Sequence, residues 1–206
     1  MSVLKQLVFT PRCAICKRLG VEFCHTCIES VKPFRGIDLP LVTSTFCAGE
    51  YSGWLRDSLI SYKNGDRSQA KLLTITLEKT IDAFIPPQAI TLIPIPSSPQ
   101  KIRTRGFDSI NGLCLDLVRE RKWIYLEASN LYLRRTVLDQ VGLTASQRQT
   151  NLAGAFGARK AINGTVVLVD DVITTGATLK SAARALRFAG AQRIHAVALC
   201  GTPKIG

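Results

Sequence analysis

Hydrophobic and polar positions change their period several times along this chain, and each change marks an element. Residues 42–50 are β-prone and predict a short strand. Trp54, Leu55, Leu59 and Tyr62 then fall along one side of a helix that Ser52 can cap and Asn64-Gly65 stops. A second helix is expected over 68–84, ended by Pro86-Pro87, because the residue before a proline is pushed out of the helical region. From there the pattern alternates. An apolar strand at 91–95 leads into a proline- and arginine-rich loop at 97–107, and Asp108 opens a helix running to about Arg121. Tyr132 sits in a strand-like run, followed by a polar stretch to Gly157. Residues 165–169 are mostly β-branched and almost wholly apolar, as a central parallel strand buried on both faces requires. A helix at 177–189 with Gly190 as its C-cap and a strand at 193–199 complete the pattern. Strand, helix and strand in this order predict an α/β fold with a parallel sheet.

The first ~30 residues break the pattern and place a boundary near 32–36. Cys13-x2-Cys16 and Cys24-x2-Cys27 form two knuckles, each able to put two thiolates on one metal, and two knuckles complete a tetrahedral zinc site. So small a module has little core and would need the metal to fold. His25 could replace one cysteine, although it breaks the knuckle spacing. Redox or free thiols are the other reading of these cysteines. Cys47, Cys114 and Cys200 lie in apolar surroundings and are expected in the core, and His195 is expected to be structural.

Charge widens the question of partners. Lysine and arginine total 27 against 15 acids, a formal net charge of +12. A field of that sign favours polyanions: nucleic acid, phosphorylated metabolites or an acidic membrane surface. The cations are spread along the chain, with local density at 101–105, at 119–122 and at Arg134-Arg135. No run approaches the ~20 apolar residues a membrane span needs, so no membrane insertion is expected. The N-terminal residues do not read as a signal peptide, and a cytoplasmic protein is expected.

The strongest chemical signal lies at 166–178. Four apolar residues commit a strand to the sheet interior, and Asp170 and Asp171 follow at its carboxyl end. Adjacent carboxylates repel and need a cation or hydroxyl donors nearby. Ligands of open α/β sheets bind at that end of the strands. Beyond Val172 the loop presents Thr174, Thr175 and Thr178, a permissive Gly176, and, from Ala177, the first amides of a helix. Such a helix start makes an anion site sized for one phosphate. Carboxylates for a diol beside a phosphate cradle describe a ribose 5-phosphate. An ATPase Walker B strand also ends apolar-apolar-Asp-Asp, but its partner G-x-x-x-x-G-K-[ST] occurs nowhere in the chain. Upstream, Pro96 and Ser97 open a loop with Lys101, Arg103 and Arg105, three cations within five residues, which suits a pyrophosphate. A third segment carries Leu133-Arg134-Arg135, Gln140, Leu143, Arg148, Asn151 and Ala155-Phe156; a long polar loop inside a domain is more often functional than idle.

The 166–178 stretch resembles the binding motif of type I phosphoribosyltransferases. With Pro94-Ile95-Pro96, Arg105-Gly106-Phe107, the spaced Gln140, Arg148 and Asn151 before Ala155-Phe156, and Leu179 closing the threonine loop, nearly the whole chain resembles the competence protein F (ComF) family. Most of the family continues Arg-Gly-Phe with Asn-Gln where this chain has Asp108-Ser109, and Asp108 keeps the helix cap. The resemblance implies a type I phosphoribosyltransferase fold over 36–206, with 36–88 as a hood segment, behind a four-cysteine zinc ribbon at 1–35. It implies that Asp170 and Asp171 contact the ribose hydroxyls of phosphoribosyl pyrophosphate (PRPP), that Thr174, Thr175, Gly176, Ala177 and Thr178 hold its 5-phosphate, and that Val172 also belongs to the PRPP site. Pro96, Ser97, Lys101 and Arg103 would complete the PRPP site, and Arg105 and Arg148 would join the acidic pair in catalysis, with Mg²⁺ accompanying PRPP. The implied function is transfer of phosphoribose to an unknown acceptor within the competence and DNA-uptake machinery. The alternative is a non-catalytic competence factor that binds single-stranded DNA and uses PRPP as a regulatory ligand. Arg119, Arg121 and Lys122 would then offer charge, Trp54, Tyr62 and Trp123 stacking faces, and DNA-uptake proteins would be partners.

Overall fold

A computed structural model of the protein describes residues 10–86, 89–121, 124–135, 144, 147 and 151–202. The chain divides into two compact units, Met1–Lys32 and Pro33–Gly206.

In the first unit the turn at the first knuckle is closed by backbone bonds. Cys13 N–H donates to Arg18 O at 2.8 Å and Ala14 N–H to Glu22 O at 2.9 Å. The short helix α1, His25–Glu29, starts directly after Cys24 and turns Cys27 inward. Cys13, Cys24 and Cys27, with Ile15 against them, are the buried cluster here. A cluster this small cannot offset the conformational entropy of the chain around it.

The second unit is a mixed α/β fold with a mainly parallel sheet. In chain order come β1 (Phe34–Arg35), β2 (Ser44–Glu50), α2 (Gly53–Lys63), a 3-10 turn at Arg67–Gln69, α3 (Ala70–Phe84) and β3 (Ile90–Pro94). Then follow α4 (Pro99–Arg105), α5 (Ser109–Glu120), β4 (Ile124–Leu126), β5 (Leu131–Leu133), β6 (Phe156–Ala158), β7 (Thr165–Ile173), α6 (Ala177–Phe188) and β8 (Arg193–Gly201). The main sheet has the order β1-β2-β8-β7-β3-β4, with β1 antiparallel and the other neighbours parallel, and β5 and β6 form a separate antiparallel ribbon. Val166 and Leu168 of β7 join the cluster under α6, with Ala182, Ala183 and Leu186. The alternate Val167 and Val169 are equally buried and face the other way. On the sheet also lie α3, against β2 and β8, and α5, against β3 and β7. Helical cover on both faces is what an unalternating apolar strand demands.

Three departures from the sequence pattern bear on the site. Residues 97–107 are not a loop: Ser98 caps α4, Pro99 takes its first position and Gly106, in the left-handed region at φ 81°, ends it. Proline at the first helical position costs nothing, because that N–H has no partner in a helix anyway. The β7 strand runs on through the acidic pair to Ile173, paired with β8 at Asp170–Ala198 and Val172–Cys200. Two short strands, β1 and β4, lie at the sheet edges where two or three residues give no readable period.

Candidate functional site

The carboxyl ends of β3 and β7 open onto a cleft of about 740 Å³. Asp170 and Asp171 stand in it, both half-buried on β7. Asp171 N–H donates to Asp170 Oδ1 at 2.8 Å. Burial, and next the charge of Asp171, push the Asp170 carboxyl up to about 7, against the opposing pull of that amide, Lys63 and Lys101. Asp171 is answered differently: its Oδ2 forms an ion pair with Lys63 Nζ. One carboxylate of the pair is thus neutralised by a lysine, while the other leans toward its protonated form.

Val172, Thr174, Thr175, Gly176, Ala177 and Thr178 line the same cleft. Thr174 and Thr175 are exposed. Gly176 sits at φ +68°, and a Cβ there would run into the Leu39 and Ile37 side chains. Glycine is required on both counts. The N-cap of α6 is Gly176, which has no side chain of its own to cap the helix. First-turn amides and a positive helix end face the cleft, which is an arrangement for an anion.

The upstream wall is built by Pro96, Ser97, Lys101 and Arg105. Ile95 N–H donates to Val169 O at 2.8 Å, tying this wall to β7 one residue before the acidic pair. The Ser98 side chain accepts from Lys101 N at 3.3 Å and sets the first turn of α4. Asp108 caps α5 by accepting from Asn111 N at 3.4 Å and also accepts from Ser97 Oγ at 3.1 Å. The Asp108 cap expected from the sequence is therefore present, and it steadies the wall as well. An apolar side is supplied by Leu133, Leu152 and Phe156.

In the first unit the Sγ atoms of Cys13, Cys16, Cys24 and Cys27 all lie within 4.8 Å of one another, and Cys16 and Cys24 are 3.6 Å apart. Thiolates ~2.3 Å from a tetrahedral zinc are about 3.8 Å apart, so the donor set fits that ion. Burial opposes a Cys13 thiolate, but the backbone amides around it outweigh burial and bring it down to about 6. His25 is exposed and outside the cluster.

The description "phosphoribosyl transferase domain" matches residues 130–204, which hold β7, its acidic pair and the threonine loop. Competence protein F of Haemophilus influenzae is 33% identical over 138 residues, 63% of this chain and 58% of that protein. Competence protein ComFC of Streptococcus pneumoniae is 26% identical over 191 residues, 89% of this chain and 82% of that protein. Together these findings support a ComF-family, phosphoribosyltransferase-like protein. DNA utilization protein YhgH of Escherichia coli is 32% identical to this chain over 114 residues, 54% of the chain and 49% of that protein. The matches to competence protein F and YhgH thus span about half of those proteins' lengths.

Some residues of this chain lie elsewhere than its sequence suggested. Arg103 is exposed on α4, donates from Nε to Pro99 O at 3.4 Å, and is not among the residues lining the cleft. Arg148, Gln140, Leu143, Lys122 and Trp123 lie outside the described residues. Arg121 is not an open DNA contact: its guanidinium donates to Glu78 at 2.9 Å and to Asp82 at 2.8 Å on α3. Those acids attract it more than solvent does, which fixes α5 to α3. Arg119 is held by Asp116 at 2.8 Å. Tyr62 is 1% exposed and offers no stacking face; Trp54 is half-buried. Cys47, Cys114 and Cys200 are buried, as expected. His195 bonds Ser44 Oγ through Nδ1 at 2.6 Å, a cross-strand pair. Lys63, Tyr51 and Thr202 are cleft residues that sequence reasoning did not find. A lysine in the last turn of a helix is ordinary dipole compensation, so Lys63 carried no signal of its own.

Proposed function

We propose that this ComF-family chain binds PRPP in the cleft and transfers its phosphoribosyl group to an acceptor within the DNA-uptake machinery. One observation carries the reading: the acidic pair, the threonine loop and the cations Lys101 and Arg105 line a single cleft. Asp170 and Asp171 take the ribose hydroxyls. Thr174, Thr175, Gly176, Ala177 and Thr178 take the 5-phosphate, with Val172 beside them in the PRPP site. Pro96, Ser97 and Lys101 form the pyrophosphate wall, with Arg103 beside it on α4. In the transfer the C1–oxygen bond to pyrophosphate breaks, its electron pair leaving with pyrophosphate. A lone pair of the acceptor closes on C1, and the acceptor's proton goes to solvent. The carbon passes through an oxocarbenium-like state, as in glycoside cleavage. Lys101 and Arg105, joined by Arg148, neutralise the charge that gathers on the leaving group. The upstream wall offers cations and hydroxyls rather than metal-binding carboxylates, so Mg²⁺ would be held through the pyrophosphate's own oxygens. When bound, it supplies charge neutralisation to the leaving group.

Residues 1–35 are read as the structural zinc ribbon and 36–206 as the phosphoribosyltransferase domain. The contribution of Tyr51 and Lys63 to the cleft supports 36–88 as the hood over the acceptor. Titration calorimetry with PRPP and Mg²⁺ tests the site. Binding should be measurable, the Asp170→Asn, Asp171→Asn double variant should lose most of it, and Thr175→Ala should lose less because the loop amides remain. A double variant that bound like the wild type would remove the acidic pair from the ribose site.

A second reading draws on the names of the relatives, competence proteins and a DNA utilization protein, and on the net charge of +12. In it the chain binds single-stranded DNA, and PRPP is a regulatory ligand without turnover. Release of pyrophosphate when acceptors are supplied separates the two.

A further inference from the structure

Two adjacent carboxylates need a cation, and this chain brings its own. Lys63 is the last residue of α2, and its ammonium reaches Asp171 with both side chains largely shielded, at 21% and 28% exposure. The residues on either side leave its backbone little freedom. Tyr62 is buried, donates its hydroxyl to Ser109 O at 3.3 Å, and meets the Phe107 ring edge-on at a centroid distance of 5.2 Å. The Arg67 guanidinium stacks over Phe107 at 3.7 Å. Beyond Lys63, Asp66 accepts from Ser61 Oγ at 3.0 Å and from Ser68 N at 3.1 Å, which closes the turn behind the lysine. The Arg105-Gly106-Phe107 segment thereby holds the end of α2 as well as the pyrophosphate wall. A divalent cation seeking Asp171 would meet an ammonium held in place.

Building on the ribose 5-phosphate site proposed above, we propose that Lys63 is the resident counter-cation of the acidic pair. It pairs with Asp171 and keeps that carboxylate aimed at the sugar hydroxyls, so that the sugar-phosphate end of the ligand binds without a divalent metal. An ammonium has three donors and can contact a sugar hydroxyl while paired with the carboxylate. Divalent metal is then needed only when a pyrophosphate comes with the sugar.

The probe is ribose 5-phosphate, which has no pyrophosphate, titrated calorimetrically in magnesium-free buffer and again with magnesium added. Wild type should bind in both, with affinities within about twofold. Lys63→Met should bind about tenfold more weakly without magnesium, the size expected for one charge-assisted contact, and recover when magnesium can reach Asp171. Lys63→Arg should keep the wild-type pattern. A merely structural lysine would not produce a defect that magnesium repairs. Equal affinity of wild type and Lys63→Met without magnesium would overturn the proposal. So would a wild type that needs magnesium for tenfold tighter binding, a measurement that requires no variant to fold. The Asp170→Asn, Asp171→Asn variant tells the failures apart. If it loses ribose 5-phosphate while Lys63→Met does not, only the lysine's role is lost; if neither change matters, the site reading falls too.

Discussion

Asp170 sets folding against binding. Its carboxyl is raised from an ordinary 3.8 to about 7, first by burial and then by Asp171. Between those values the native protein keeps a proton that the unfolded chain has released, so stability falls as pH rises from about 4 to about 7 and then levels off. Asp170→Asn removes the titration. The variant should melt several degrees above wild type at pH 8, since 1 kcal/mol moves a chain of this size by roughly 2–4 °C, and close to it at pH 4. Calorimetric melts at the two pH values check this; equal melting at pH 8 would mean the carboxylate is better accommodated than its burial suggests. The same substitution should weaken PRPP binding, a trade of function for stability. The place of Asp170 and Asp171 was legible, because an apolar run marks the strand and puts both carboxylates at its carboxyl end, where they line the cleft. Lys63 was not. Its partner lies more than a hundred residues away, and only the packing of Tyr62 and Phe107 brings them together.

At the scale of elements, the long periodic segments were readable and the short ones were not. β7, α5 and α6 announce themselves through apolar runs, the Asp108 cap and one buried helix face. α4 was hidden because Pro99 and three cations read as loop, although Ser98 followed by proline is equally a helix start. The four-cysteine unit is the reverse case: its spacing is explicit, while its stability cannot come from α1, five residues long, or from its small buried cluster. One zinc ion per chain is therefore expected in protein purified away from chelators, and Cys13→Ser should lose it, as elemental analysis would show. Losing the metal should unfold 10–32 and leave the sheet unit, which has a separate core, with its circular dichroism largely intact. Metal content unchanged in Cys13→Ser would remove the zinc assignment.

The whole molecule carries +12 charges, and only part of that surplus is explained by the cleft. Residues 1–32 hold five lysines and arginines against two glutamates, so most of the excess belongs to the second unit. Several arginines there are already engaged: Arg121 on Glu78 and Asp82, Arg135 on the carbonyls of Asn151 and Ala153, and Arg159 over the Tyr132 ring. Such contacts do not cancel the long-range field, which a phosphate backbone reads as a sum. Single-stranded DNA should therefore bind weakly and without sequence preference. Its log affinity should fall with log salt at a slope of about −0.7 for each phosphate contacted, through release of condensed counterions. Arg121→Gln should leave that slope nearly unchanged, because its guanidinium is held by two acids, while lowering the melting temperature. Excess PRPP should compete only if a DNA phosphate enters the loop at Thr174, Thr175 and Thr178, so competition distinguishes one shared site from two. A titration at low ionic strength that detects no binding, or binding indifferent to salt, would leave the surplus charge without a nucleic-acid partner and the cleft's small-molecule chemistry as the protein's task.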